Sequence, residues 1–193
     1  MSVSALWERL DRPGHDAALL RRCGDGWLLQ GAAVFAHDAG PANVAYEVET
    51  DPLFRTRRGR VSGFLGEKPF HHDIRREADG WSLNGAGAGL EHLADLDYGF
   101  TPATNILQLR RAAPGLGQTV SVPVAWFDVG AASLIELPQR YERRGEATYW
   151  YVAPTVPYEA LLEIASNGFV QFYPGLWRLV TQGALKPAPR GGR

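Results

Sequence analysis

Apolar and polar residues alternate with a period of two over most of this chain, and no other feature restricts its fold so strongly. In the stretch 43–50, Val44, Tyr46 and Val48 fall on one side, and Glu47 and Glu49 on the other. Successive side chains of a strand point to opposite faces, so such a segment buries one face and wets the other. Val120, Val122, Val124 and Trp126 repeat the pattern against Thr119 and Ser121. So do Ile135, Leu137 and Tyr141, and then Ala160, Leu162 and Ile164. Turn signals separate the runs at Gly24-Asp25-Gly26, 38–41, 66–69, Asp79-Gly80 and Asn167-Gly168. Asp-Gly and Asn-Gly suit hairpins that need a positive φ. The rhythm predicts strands at 16–22, 26–37, 43–50, 55–65, 69–77, 80–84, 119–129, 133–143, 147–153, 158–165 and 168–173. A series of this kind predicts a mainly β fold, either one highly curved antiparallel sheet or an open β-barrel around an apolar interior.

Helical signal is thin. The stretch 90–96 allows a turn or two, and 175–185 predicts a short C-terminal helix after Pro174. Segment 95–111 breaks the strand rhythm and predicts an irregular crossover. A chain of 193 residues, with no linker dividing its middle, is expected to form one β-barrel-like domain over 1–185. The Pro-, Gly- and Arg-rich tail 186–193 is expected to be disordered.

Composition narrows the classes of partner. Apolar residues make up 45% and charged residues 21%, and the formal net charge is −1, so no polyanion is called for and nucleic acid is not expected. Cys23 is the single cysteine, which rules out an internal disulfide and a cysteine metal cage. The first ten residues lack a basic region followed by an apolar one, and no apolar run approaches the ~18–20 residues of a membrane helix. A cytoplasmic protein without a transmembrane segment is the expectation.

Few residues assemble into recognisable chemistry. Gly85-Ala86-Gly87-Ala88-Gly89 lacks dinucleotide-binding spacing and predicts a flexible loop. His71, His72 and Asp73 are neighbours on a predicted strand, so their side chains diverge. His92, Asp95 and Asp97 are better spaced for a divalent ion, but carboxylates that cap turns use the same spacing. Cys23 follows Arg21-Arg22 but has no local histidine to make it a nucleophile. No metal or cofactor is expected.

More telling are polar residues in phase with apolar faces. Arg57 shares a strand face with Val61 and Leu65, Gln139 with Leu137 and Tyr141, and Gln171 with Phe169 and Tyr173. If those faces are interior, an arginine and two glutamines face the apolar space. A buried charge costs several kcal/mol unless partnered, so Arg57 needs an acid, water or a ligand.

Several segments together resemble a bacterial family of putative glycolipid-binding proteins, from Leu6-Trp7 to about Trp177. Asp95-Leu96-Asp97 followed by Thr101-Pro102-Ala103-Thr104-Asn105 and Arg110-Arg111 resembles its D-x-D, TPxTN and RR elements. Tyr46 to Asp51 with Thr56-Arg57, Gln139-Arg140-Tyr141, Gly168-Phe169-Val170 and Tyr173-Pro174-Gly175-Leu176-Trp177 match further segments in order. Phe54, Leu93, Gln108 and Ala165 depart from the pattern. The resemblance implies a curved sheet like that of periplasmic lipoprotein carriers and a lipid-like ligand in its interior. Candidate ligand contacts are then Arg57, Asp97, Thr101, Asn105, Arg110, Gln139, Tyr141 and Tyr173. Three readings follow: a non-catalytic binder of a lipid or glycolipid amphiphile, a solid-cored interaction protein, and an enzyme using Asp95 or Asp97 as a base.

Overall fold

The computed structural model describes residues 2–184. In chain order it contains β1 (Ser2–Arg9), β2 (Gly14–Cys23), β3 (Gly26–His37), β4 (Gly40–Thr50), β5 (Thr56–Leu65), β6 (Lys68–Glu77), β7 (Gly80–Leu83) and β8 (Ala86–Gly89). Then come β9 (Asp95–Tyr98), α1 (Asn105–Ala112), β10 (Thr119–Ser121), β11 (Val124–Asp128), β12 (Ser133–Leu137) and β13 (Arg140–Arg143). The last four strands are β14 (Thr148–Ala153), β15 (Tyr158–Ile164), β16 (Val170–Tyr173) and β17 (Trp177–Ala184).

Fourteen strands form one antiparallel sheet in the order β10-β13-β14-β15-β16-β17-β1-β2-β3-β4-β5-β6-β7-β8. Its edge strands do not pair with each other, so the sheet is open and not a closed barrel. A small second sheet, β12-β11-β9, has β9 running parallel to β11.

The expected alternation is seen in β4, where Ala42, Val44, Tyr46 and Val48 are buried and their neighbours are more exposed. The inner face of the large sheet wraps around segment 93–112. From β7, near one edge, Trp81 Nε1 donates to Leu93 O at 3.2 Å. From the other side, Tyr141 of β13 accepts a 2.8 Å hydrogen bond from Asn105 of α1. Tyr98 meets Tyr46 of β4 edge-on at 5.8 Å. Both ends of the sheet can reach one central segment only if the sheet curls around it. Fully buried Trp7, Trp81, Tyr46, Tyr98, Tyr141, Phe127 and Phe169 fill the enclosed space.

Several expectations are corrected. The predicted strands 119–129 and 133–143 are each cut in two, at Pro123 and Pro138, and their halves join different sheets. Proline supplies no N–H to a ladder, which ends the pairing there. Segment 95–111 is an ordered strand and helix. The stretch 90–96 gives only a turn before β9. The predicted C-terminal helix is a strand, β17, because β1 offers it a long-range partner from Val3 to Arg9. Gly85 to Gly89 is no free loop, since Ala86–Gly89 forms the edge strand β8. Leu185 and the tail 186–193 lie outside the described residues.

One glycine is dictated by packing. Gly31 pairs with Tyr46 across β3 and β4, and the phenol ring lies over its backbone. A Cβ there would stand 2.3 Å from Tyr46 Oη. Gly31→Ala is therefore expected to cost about 1–3 kcal/mol of stability by overpacking, measured by urea unfolding. Gly87→Ala, whose Cβ meets open space, is the control and should leave the midpoint unchanged.

Candidate functional site

Segment 95–105 brings polar groups into the interior, and each needs a partner there. Asp95 is almost wholly buried and takes a bidentate ion pair from Arg111, with Nε at 2.8 Å and Nη2 at 2.6 Å. Burial raises its carboxyl pKa despite that guanidinium. The helix α1 therefore returns its last turn against the strand that precedes it. Arg110 and Arg111 also lie where the helix dipole favours positive charge.

Asp97 faces the same interior with no cation beside it among the described residues. Thr104 donates from Oγ1 to Asp97 Oδ1 and makes no helix-capping hydrogen bond. Burial pushes the Asp97 carboxyl up to about 6, while Thr104 and Gln108 hold it partly down. The Gln108 amide approaches Asp97 without forming a hydrogen bond of ordinary geometry, and its Nε2 has no partner.

Behind Asp97 runs a buried chain of side-chain hydrogen bonds. Asn105 Nδ2 donates to Tyr141 Oη at 2.8 Å, and Tyr141 Oη donates to Gln108 Oε1 at 2.8 Å. Gln139 Nε2 donates to the same oxygen at 2.7 Å, and Tyr151 Oη donates to Gln139 Oε1 at 2.6 Å. Burial raises the Tyr141, Tyr151 and Tyr173 phenols, so they stay neutral and able to donate. Such a chain fixes the orientation of each member.

A second carboxylate sits on the other side of the crossover. Asp16 of β2 is buried and accepts from Tyr46 Oη at 3.0 Å and from Thr101 Oγ1. Burial pushes it up to about 7, against the lowering effect of Thr101 and Tyr46.

Where these elements leave a gap, a cleft of about 270 Å³ opens between the small sheet and strands β14–β17. Asp97, Thr101 and Asn105 supply its polar groups, and Trp126, Tyr151, Tyr158 and Tyr173 supply rings. Trp126 reaches the cleft over Gly99, where a Cβ would stand 2.7 Å from the indole. Two oxygens remain free for a ligand, Asp97 Oδ2 and Asn105 Oδ1. Neither accepts a hydrogen bond of ordinary geometry among the described residues, although the Gln108 amide and the Tyr98 N–H lie close enough to Asp97 to hold its raised pKa partly down, and neither is sealed from the cleft.

Residues 4–179 match the model of the family described as "Putative glycolipid-binding". The chain belongs to this family. Its fold is similar to that of a DUF1089 family protein from Pseudomonas aeruginosa, known from a crystal structure, with a TM-score of 0.74 at 20% identity. The likeness covers 86% of this chain and 91% of that one. No curated protein matches the sequence.

The putative glycolipid-binding signature residues divide by position. Asp97, Thr101, Asn105 and Tyr173 line the cleft, and Tyr141 and Gln139 stand one hydrogen bond behind it. Arg57 is elsewhere. It lies on the outer side, paired bidentately with Asp25 at 2.7 Å. The expectation that it shares the inner face of Val61 fails because the ladder shifts at Glu49/Thr50, pairing Thr50 with Thr56 and Glu49 with Arg58. The bulge leaves Arg57 unpaired and turns Thr56 inward. Gln171 also points outward. Arg110 is half-buried near Trp27 and Phe54, 5.6 Å from each ring, and donates to Asn167 O. The trio His92, Asp95 and Asp97 does not converge, because His92 meets Glu136, Asp95 meets Arg111 and Asp97 meets Thr104. Asp16, Thr104, Gln108 and Tyr151 are additions that the sequence reading missed. Asp16 carried a usable signal, standing in phase with Ala18 and Leu20 on one strand face.

Two expectations can be checked. Asp16 keeps its proton in the folded protein up to about pH 7 but releases it near its ordinary 3.8 once unfolded. The folded state therefore loses stability as pH rises through that window. Urea midpoints should shift in favour of Asp16→Asn over the wild type between pH 4 and pH 7. Arg57→Ala, which removes an exposed ion pair, should leave both the unfolding midpoint and the circular dichroism spectrum unchanged.

Proposed function

We propose that the protein is a non-catalytic binder of a lipid-like or glycolipid amphiphile, whose polar head group enters the cleft beside Asp97 and Asn105. The observation that carries this reading is the pairing of aromatic walls with two unfilled acceptor oxygens in one opening. Concave sites with apolar walls and a few fixed polar groups are the usual form of small-molecule pockets. The family description supports a glycolipid.

Size decides which part of the ligand is enclosed. At about 270 Å³ the cleft falls just below the roughly 300–1,000 Å³ of pockets that swallow a whole drug-sized ligand. The central interior is already occupied by side chains such as Trp7, Trp81 and Tyr98. The head group is therefore the enclosed part, and the alkyl chain leaves along the apolar rim at Val156 and Leu176. Each methylene covered there contributes up to about 0.8 kcal/mol, before the entropy of association is subtracted.

The filled interior equally favours a second reading, a solid-cored interaction protein with no small ligand. Native mass spectrometry of the purified protein, with lipid analysis of its organic extract, separates the two. A stoichiometric amphiphile is expected, and Trp126→Ala should weaken its rebinding at least tenfold with the fold intact. A clean unliganded mass that persists after incubation with a bacterial lipid extract would overturn the binding reading.

A further inference from the structure

We infer that the cleft selects an uncharged, hydroxyl-rich head group and rejects a phosphate-bearing one, with Asp97 as the residue that sets this preference. The inference rests on the binding reading above and adds the chemistry of the ligand.

Among the described residues the lining carries one carboxylate and no arginine, lysine or histidine. Three cations near these elements are already engaged. Arg9 stacks on the outer lining residue Trp177 at 5.0 Å and pairs with Asp11 at 2.7 Å. Arg111 is held by Asp95, and Arg110 lies against Trp27 and Phe54 with its Nη2 on Asn167 O. Anionic head groups are held by guanidinium, ammonium or clustered backbone N–H groups. Among the described residues no such side chain faces this space, and the N-terminal turn of α1, which borders it at Asn105, already has the Asp97 carboxylate against its N-cap residue Thr104.

Two of the open groups have the opposite polarity, beside the Trp126 indole N–H and the Tyr173 hydroxyl of the same lining. Asp97 Oδ2 and Asn105 Oδ1 are both acceptors, so the ligand must donate to both. A phosphate offers acceptors to acceptors and brings a negative charge to the Asp97 carboxylate. A sugar-like head group offers several O–H donors, and the less polar C–H faces of its ring suit the aromatic walls. Hydrogen bonds to an ionised carboxylate are about twice as strong as neutral ones, which places most of the discrimination at Asp97.

The hydrogen bonds behind the cleft hold both acceptors in place. Thr104 occupies Asp97 Oδ1, which leaves Oδ2 for the ligand. Tyr141 occupies Asn105 Nδ2, which turns the amide oxygen outward. Tyr158, on the opposite wall, spends its hydroxyl proton on Pro174 O at 2.6 Å, so its ring presents a surface and not a donor. A trimethylammonium group would find aromatic rings and one negative charge here, but it has no hydrogen to give to Asn105.

The test uses three amphiphiles of equal chain length below their micelle concentrations: octyl β-glucoside, octyl phosphate and octyltrimethylammonium. Titration calorimetry at neutral pH with the intact protein is expected to rank the glucoside at least tenfold above the other two. Phosphate binding as tight as the glucoside would overturn the inference and leave the binding reading standing. So would tighter binding of the ammonium probe, which would make the rings a cation cage. Failure of all three to bind would sink both. As a second measurement, Asp97→Asn, checked for an unchanged circular dichroism spectrum, should bind the glucoside about tenfold more weakly and narrow the gap to octyl phosphate. An unchanged ranking and affinity in that variant would remove Asp97 from the role assigned to it.

Discussion

The buried carboxylate of Asp16 ties the large sheet to the segment it encloses. Asp16 lies on β2, its partner Tyr46 on β4, and its other partner Thr101 on the crossover between β9 and α1. A buried carboxyl group without partners in that position would cost roughly 1–3 kcal/mol or more, so strands and crossover come together in the arrangement that supplies both hydroxyls. Once Thr101 is held, Pro102, Thr104 and Asn105 have little freedom left. Thr104 then reaches Asp97, and Asn105 reaches Tyr141. The orientation of the cleft is in this sense inherited from a contact on its far side.

Polar groups inside a mainly apolar shell stabilise little by themselves, and they are costly if one member is lost. Here they determine geometry. The Asp95–Arg111 pair fixes the helix end, the Gln108–Gln139–Tyr141 junction fixes the helix face against β13, and Tyr151 joins β14 to the same junction. Apolar packing of α1 alone, through Ile106, Leu107 and Leu109, would tolerate rotations that these hydrogen bonds forbid.

Much of this was legible in the sequence, and the misses have physical causes. The long hairpin strands β2 and β4 announce themselves because each buries one face, which leaves a period-two trace. β9 leaves none, since all four of its residues are buried and it pairs in parallel. β17 was read as a helix because its real partner, β1, lies at the other end of the chain. Pro123 and Pro138 were visible, but a local reading does not reveal that the chain changes sheets at each. Asp97, Thr101, Asn105 and Tyr173 were found through the family resemblance, while their supports Thr104 and Gln108 were not. Arg57 was placed inside by an alternation that is correct up to Gly59 and fails one step beyond, at a bulge that no residue type announces.

The meeting of β1 with β17 has a consequence for how the molecule is made. β1 sits in the middle of the sheet with β2 on one side and β17 on the other. On the ribosome β1 emerges before β17, which follows every other described strand of the sheet. The β2–β6 meander can zip from its local turns, but the half formed by β13–β16 has no strand ladder joining it to that meander until β17 is in place between β16 and β1. Pairing across so long a loop is slow. A nascent chain thus carries an unsatisfied edge on β1 until β17 has followed all the strands between them, and the two halves of the sheet are joined by the last of the described strands.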